Sequence, residues 1–347
     1  MKPSAWNEPI GPALLVVQTS FLGDVVLTTP LITALRERLR PRRLSVLVRP
    51  EAVPLVATHP DVDDVLVDDK RGGDRGARGL LRTARRLRRE RFDLVVSPHR
   101  SLRTALLLAA ARIPYRVGFR QSRGALFYHA RVTRERERHD VERNLALVAP
   151  FGAVPTRVRL HVPVAPAARA RAAALLPSGP GPLVGVAPGS VWATKRWSAE
   201  GYAAVVAALA ADGARCVILG GAEERGLAED IRARAGGRAT VLAGETDVAA
   251  LVAVVDRLAL LIANDSAPMH VACARGVPVV AVFCATTPAL GYGPYGTRAA
   301  VVEADLACRP CARHGGRRCP RGTEDCMRLV STVAVLAASR AALGGAR

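Results

Sequence analysis

Short apolar runs that alternate with helical segments constrain this chain more than any other feature. In its first half, four such runs predict buried strands, at residues 14–17, 44–48, 65–67 and 94–96. Apolar residues at helical spacing predict a helix from Val25 to Leu39, and a strongly basic helix is predicted over 79–91. Strands that alternate with helices favour an α/β layer built on a parallel sheet.

The second half repeats this plan. Its predicted strands are 183–187, 216–219, 258–263 and 278–283, with helices at 199–211 and 224–235. Residues 162–182 between the halves are rich in Pro, Ala and Gly, and the 347 residues suit two domains. We therefore predict a Rossmann-like domain over 1–165, a linker over 166–182 and a second Rossmann-like domain over 183–347.

The net charge of +20 comes almost entirely from arginine, because only Lys2, Lys70 and Lys195 are lysines. Such a charge indicates an anionic partner or a genome that favours Arg codons. Aromatic residues make up only 4% of the chain, so the stacking platforms of a single-strand nucleic-acid binder are scarce. Residues 1–12 contain no apolar core of signal length, and charges interrupt the longest apolar run, 248–263. We expect a cytoplasmic protein.

Two loops that follow predicted strands carry candidate chemistry in the form of an acid and a lysine. Asp24 follows the first strand and is either a general base or an acid that caps a helix. The loop lacks the G-x-G-x-x-G pattern, which disfavours a dehydrogenase. In the loop 188–197, Gly189 and Ser190 allow close approach to a phosphate, and Lys195 supplies a point charge for a diphosphate.

Two further loops carry acids and a helix start. Within 220–224, a carboxylate is placed either to bind ribose hydroxyls or simply to begin a Glu-rich helix. In 264–270, Asn-Asp-Ser precedes a helix with Pro268 in its first turn, and its free N–H groups form an anion site. His270 is either packed in that helix or functional.

Four cysteines need a separate account. Cys308, Cys311, Cys319 and Cys326 have the spacing C-x2-C-x7-C-x6-C in a segment rich in Arg, Gly and Pro. Four thiolates so close together suit a structural zinc or iron ion, but disulfides and free thiols stay open.

Three of these motifs carry a resemblance to a known family. Gly23-Asp24-Val25, Pro188-Gly189-Ser190 with Lys195-Arg196-Trp197, and the segment 264–270 are similar to the heptosyltransferases of glycosyltransferase family 9, above all to its type II members. Where family members often have Gly, this chain has Ala267. The resemblance implies the GT-B architecture, in which two Rossmann-like domains face an inter-domain cleft. It further implies that the last helix, from Ser331-Thr332 to Leu343, returns to the first domain.

The resemblance also implies an inverting, metal-independent glycosyl transfer that requires no cofactor. Asp24, Lys195 and Asp265 would be the catalytic residues. The nucleotide-sugar site would contain Ser190, Thr194, Lys195, Glu223, Asp265, Ser266, Ala267 and His270. The acceptor site would lie in the first domain and would contain His99, Arg100, Arg120 and Arg123, with Arg116 in the same loop as the last two.

The partners that the resemblance implies are ADP-L-glycero-D-manno-heptose and the lipopolysaccharide inner core, a Kdo-lipid A acceptor that already carries a first heptose. Charge supports a location at the inner face of the inner membrane, since residues 1–165 carry +14 (30 basic, 16 acidic) and residues 166–347 carry +6 (20 basic, 14 acidic). Another nucleotide sugar, or a non-hydrolysing epimerase of the same fold, is the first alternative. A nucleic-acid-binding protein is an alternative from charge alone.

Overall fold

The chain folds into two compact units, Met1–Pro163 and Val164–Arg347. In the computed structural model, residues 11–156 and 158–344 are described. Residues 1–10 lie outside this range. They make up most of the segment 1–12, which is predicted to lack a signal sequence. No helix among the described residues combines the length and the apolar character needed to cross a membrane.

The first unit is a six-stranded parallel sheet with helices in its connections. Its strands are β1 (Ala13–Val17), β2 (Arg43–Val48), β3 (Asp64–Val67), β4 (Leu94–Ser97), β5 (Tyr115–Phe119) and β6 (Ala130–Val132). Its helices are α1 (Leu22–Val26), α2 (Thr29–Leu39), α3 (Gly76–Arg89), α4 (Leu102–Ala110) and α5 (Asp140–Leu145). The strand order is β3-β2-β1-β4-β5-β6.

The buried centre of this sheet explains the apolar runs in the sequence. Every residue of β1 is buried, and Val16 lies between Val46 of β2 and Val96 of β4 in the parallel ladder. A strand that is covered on both faces must be apolar throughout, so it shows no alternation of apolar and polar residues.

The second unit has the same construction. Its strands are β7 (Leu183–Ala187), β8 (Arg215–Ile218), β9 (Ala239–Val241), β10 (Leu260–Asn264), β11 (Val279–Phe283) and β12 (Ala299–Glu303). Its helices are α6 (Pro166–Leu175), α7 (Ala199–Ala211), α8 (Arg225–Arg234), α9 (Val248–Val255), α10 (Ala267–Arg275), α11 (Asp325–Arg328) and α12 (Thr332–Gly344). The strand order β12-β11-β10-β7-β8-β9 is the first unit's order read from the opposite edge.

Both units therefore have the strand order of the dinucleotide-binding α/β fold, in which ligands bind beyond the carboxyl ends of the strands. This confirms the predicted α/β class with two parallel sheets. The residues that follow β1, β3 and β4, and those that follow β7, β8, β10 and β11, are thereby placed at the ligand-binding edges of their sheets.

The structure departs from the predicted elements in two places. The single helix predicted over Val25–Leu39 is two helices, α1 and α2, because the chain turns at Leu27-Thr28 just before Pro30 in the first turn of α2. Arg116 lies in β5 rather than in a loop, and its guanidinium donates to the carbonyls of Ile113 and Phe127. Within the predicted linker, 166–182, a helical stretch over about 167–176 is consistent with its Ala-rich sequence, and it is present as α6, which packs against α9.

The last helix starts where the sequence predicts. The Ser331 hydroxyl accepts the Ala334 N–H at 3.3 Å, and α12 packs against α7 and the sheet of its own unit. The Arg340 guanidinium also pairs with Asp212 at the end of α7, at 2.8 Å. The return of this helix to the first unit stays a prediction.

Candidate active site

Asp24 lies in α1, directly after the central strand β1. Its Oδ2 accepts the backbone N–H of Phe21 at 3.1 Å, so this acid does cap its own helix. Burial raises the pKa of Asp24, the charge of Asp140 raises it further, and the Ser20 hydroxyl and the Phe21 N–H oppose the rise. A raised pKa makes this carboxylate a stronger base than an ordinary one, and its side chain is still partly exposed.

The charge of Asp140 is itself held in place. Asp140 begins α5, is buried, and forms an ion pair with the guanidinium of Arg134. The Asn144 amide donates to Asp140 and to the carbonyl of Leu27, both at 3.3 Å, which ties α5 to the end of α1. Asp140 is therefore a fixed negative charge within reach of Asp24.

A polar cluster lies at the carboxyl edge of the first sheet and includes the predicted residue His99. The Nδ1 atom of His99 lies 2.7 Å from the Thr104 hydroxyl and 3.1 Å from the Thr19 hydroxyl, and the Lys70 ammonium donates to Thr19. Burial, and after it the charge of Lys70, lower the pKa of His99 to about 3. Burial and Arg49 together lower the pKa of Lys70 to about 8. His99 is therefore neutral, and Lys70 is a cation that is readily deprotonated.

Arginines surround this cluster at different depths. Arg103 forms two hydrogen bonds, of 2.5 and 3.1 Å, to the fully buried Asp68. Arg123 donates its backbone N–H to the carbonyl of Arg100 at 3.2 Å, so these two predicted residues are neighbours. Arg120 is exposed just beyond β5.

In the second unit, Lys195 and Asp265 form a buried ion pair. The Lys195 Nζ atom lies 2.6 Å from Asp265 Oδ2, and the two side chains are only 13% and 7% exposed. Lys195 also donates to the Asp265 carbonyl at 3.2 Å, and the Thr286 hydroxyl donates to Asp265 Oδ2 at 2.7 Å. The pair joins loops that follow β7, β10 and β11, at the edge where a ligand is expected.

The helix α10 begins beside this ion pair. Ser266 occupies its N-cap position, but the hydroxyl donates to the Asn264 carbonyl at 3.3 Å, and no side chain within the described ranges caps the helix. Ala267 and Pro268 form the first turn, and His270 is buried one turn along. Pro268 has no N–H and the Met269 N–H donates to the Ser266 carbonyl at 3.2 Å, so in this first turn the Ala267 N–H stays available to an anion.

The loop 188–197 is held in shape by its neighbours. The carbonyl of Ser190 accepts two hydrogen bonds from the Arg196 guanidinium, at 2.6 and 2.8 Å. The Asn264 amide donates to the carbonyl of Pro188 at 2.6 Å. Thr194 contacts the segment 308–326 that contains the four cysteines, since its hydroxyl accepts the Gly316 N–H at 2.8 Å. Thr194 thus fixes the loop that carries Lys195.

Glu224, rather than the predicted Glu223, points toward this loop. Glu223 is exposed. The Glu224 carboxylate accepts the Gly221 N–H at 2.9 Å, and a Cβ added at Gly189 would lie 1.7 Å from its Oε1 atom. A side chain at position 189 would therefore displace the Glu224 carboxylate from its present position. Glu223 stays a predicted ribose ligand.

The four cysteines of the segment 308–326 form no disulfide. Cys326 is buried, Cys311 is exposed, and Cys308 and Cys319 lie between these extremes. Across the described part of the chain, no group of three or more His, Cys, Asp or Glu side chains is arranged to hold a metal ion. Burial, together with the thiols of Cys311, Cys319 and Cys308, raises the pKa of Cys326 to about 11, so the four cysteines lie near one another. Their role as zinc or iron ligands stays a prediction.

Sequence reasoning missed several residues of these edges. Lys70 carries no local signal in the sequence, because its role depends on Thr19, which is 51 positions away. Thr286 was missed although it follows a predicted strand, which is the signal that could have identified it. Arg309 was hidden in an Arg-rich segment, yet its guanidinium donates to the carbonyls of Phe283 and Thr286, at 3.0 and 2.7 Å.

Comparison with known proteins finds relatives that match most of the chain. The chain is 27% identical over 290 residues to lipopolysaccharide heptosyltransferase 2 of Salmonella typhimurium. This match covers 79% of this chain and 83% of that protein. It is 26% identical over 277 residues to lipopolysaccharide heptosyltransferase 3 of Escherichia coli, covering 77% and 82%. The solved structure of a family 9 glycosyltransferase from Veillonella parvula superposes with a TM-score of 0.85 at 26% identity, covering 98% of this chain and 99% of that one.

The fold shared with solved heptosyltransferases is GT-B. The family model for glycosyltransferase family 9 (heptosyltransferase) matches residues 80–319, which is more than half of the chain. The chain therefore belongs to glycosyltransferase family 9 and is a glycosyltransferase.

Proposed function

We propose that the protein transfers heptose from ADP-L-glycero-D-manno-heptose to the inner core of lipopolysaccharide. The observation that carries this proposal is the buried pair of Lys195 and Asp265 beside the uncapped start of α10. A cation and the free Ala267 N–H at one sheet edge suit a diphosphate, and relatives that bear the name lipopolysaccharide heptosyltransferase match most of this chain. The donor is assigned to the second unit and the acceptor to the first.

The proposed reaction is a single displacement with inversion. The acceptor hydroxyl oxygen bonds to C1 of the heptose, while the bond from C1 to the ADP oxygen breaks and leaves its electron pair on ADP. Asp24 takes the proton of the attacking hydroxyl, which its raised pKa favours. The Lys195 ammonium and the Ala267 N–H at the start of α10 stabilise the charge that develops on ADP, so no step is assigned to a metal.

The acceptor proposal rests on charge at the first sheet edge. Arg49, Lys70, Arg100 and Arg103 surround the neutral ring of His99, and together they lower its pKa. Kdo carboxylates and core phosphates are the anions that such a group of cations suits. We propose that the enzyme acts at the inner face of the inner membrane, to which the positive charge of the first unit draws it.

Transfer to defined acceptors tests this proposal. Purified enzyme, with EDTA present, is expected to release ADP from ADP-heptose when given Kdo-lipid A that carries a first heptose, and much less when that heptose is missing. If the enzyme transfers heptose only to the acceptor that lacks a first heptose, it adds the first heptose instead. Stabilisation against heat by UDP- or GDP-sugars, but not by ADP-heptose, would favour a transferase of another nucleotide sugar.

The base assignment has its own test. Asp24→Ala is expected to keep ADP binding and to lower the transfer rate by about 10²–10⁴-fold, which is the usual contribution of a general base. A purified variant that transfers heptose at the rate of the unmodified enzyme would exclude Asp24 as the base.

A further inference from the structure

The helix α3 carries a concentration of charge that the proposed reaction does not use. It contains six arginines and no acidic residue, and all six are exposed. The apolar side of the helix, with Ala84 and Leu87, is buried against the sheet and α4. The arginines therefore form one outward-facing basic surface.

This surface encloses a cavity of about 300 Å³, lined by Asp74, Arg82, Thr83, Arg85, Arg86 and Arg89. Its single carboxylate, Asp74, is paired with Arg82 at 2.8 Å. Arg86 donates to the carbonyl of Val67. Within the described residues, Arg85 and Arg89 have neither a hydrogen bond nor an ion pair, so the cavity holds an excess of positive charge.

Thr83 is a second, independent sign of a ligand in the cavity. Its side chain is 1% exposed, and its hydroxyl has no hydrogen-bond partner among the described residues although it lines the cavity. A buried hydroxyl without a partner is costly, and an anion in the cavity would accept its hydrogen bond.

An exposed leucine on the same face indicates the source of that anion. Leu81 is 47% exposed, and helical spacing places Arg78, Arg85 and Arg88 around it on the same side of α3. An apolar side chain surrounded by arginines suits an interface with lipid, where the side chain enters the headgroup layer and the guanidiniums bind phosphates. A soluble phosphate compound would have no use for Leu81.

We propose that α3 docks the enzyme on an anionic lipid surface, with a headgroup phosphate bound in the cavity beside Thr83. This inference rests on the proposed function, because the proposed acceptor is embedded in a membrane. It adds which element of the enzyme contacts that membrane.

Sedimentation with vesicles tests the docking surface. Phosphatidylcholine vesicles with about one-third phosphatidylglycerol are expected to bind the protein, and pure phosphatidylcholine vesicles are not. Arg85→Ala with Arg89→Ala should weaken binding about 25-fold, because each charge near an anionic surface contributes about five-fold. The matched control, Arg238→Ala with Arg257→Ala, removes the same charge from exposed positions of the second unit and should change binding by less than about two-fold.

Thr83→Val tests the cavity separately. It should weaken vesicle binding about two- to ten-fold, the value of one hydrogen bond, with no loss of thermal stability. Equal losses in the two double variants, no vesicle binding at all, or no effect of Thr83→Val would overturn the proposal, as would binding of inorganic phosphate without binding of vesicles.

Activity distinguishes this inference from the proposed function. All α3 variants should transfer heptose to a deacylated, water-soluble acceptor at the unmodified rate. Absence of transfer by the unmodified enzyme would instead refute the proposed function and leave the docking result intact.

Discussion

Lys195→Met is expected to destabilise the second unit because it leaves Asp265 as a buried charge without its cation. The two atoms of the pair are 2.6 Å apart, and Asp265 is 7% exposed. Removing one partner of such a pair costs about 3–5 kcal/mol, and the Thr286 hydroxyl, which still donates to Asp265, keeps the cost near the lower value. For a unit of this size we expect the melting temperature to fall by about 6–12 °C. Lys195→Met with Asp265→Asn should recover most of this loss, because no buried charge is left unpaired.

Affinity for ADP should not recover in the same way. Loss of one charged hydrogen bond to the diphosphate costs about 1.5–3 kcal/mol, which is about 10–150-fold in Kd. Calorimetric titration should therefore show weak ADP binding in both Lys195→Met and the double variant, while Asp265→Asn alone should bind ADP at least as tightly as the unmodified protein. The control is Lys70→Met, which removes the half-buried lysine of the first unit and should leave ADP affinity unchanged. A double variant that binds ADP as tightly as the unmodified protein would refute the diphosphate role of Lys195.

Three further variants test the two sheet edges. Asp24 must be ionised to accept a proton, so the acidic limb of the pH–rate profile follows its pKa. Ser20→Ala should move that limb to higher pH, and Asp140→Asn should move it to lower pH. Shifts of both variants in the same direction would contradict the assigned causes. Gly189→Ala should push the Glu224 carboxylate from its present position and weaken ADP-heptose binding, whereas Gly226→Ala, where a Cβ meets nothing, should have no effect in the same titration. Unchanged affinity in Gly189→Ala would show that the loop adapts.

The fold was predictable where strands are buried on both faces and less so at the sheet edges. The central strands β1 and β7 are buried at every residue, so each appears as an uninterrupted apolar run. The edge strand β12 alternates between exposed and partly buried residues and contains Glu303, and β6 has only three residues. The two sheets have the same strand order, which depends on pairing between distant segments and leaves no trace in local periodicity.

The candidate site shows the same division between local and distant information. The loops 188–197 and 264–270 could be placed at a sheet edge because each follows a strong apolar run. The sequence does not show which of Glu223 and Glu224 points toward the loop 188–197, because that depends on Gly189 in a distant segment. Gly189 lies 35 positions before Glu224, and its missing side chain leaves the space that Glu224 occupies, while Glu223 on the same turn is exposed. A glycine that is needed for another residue's side chain looks, in sequence, the same as one that a phosphate approaches. Adding Glu224→Ala to Gly189→Ala separates these two reasons. If the alanine at position 189 only displaces Glu224, the double variant should bind ADP-heptose more tightly than Gly189→Ala. If a phosphate approaches Gly189, binding should stay weak in both variants.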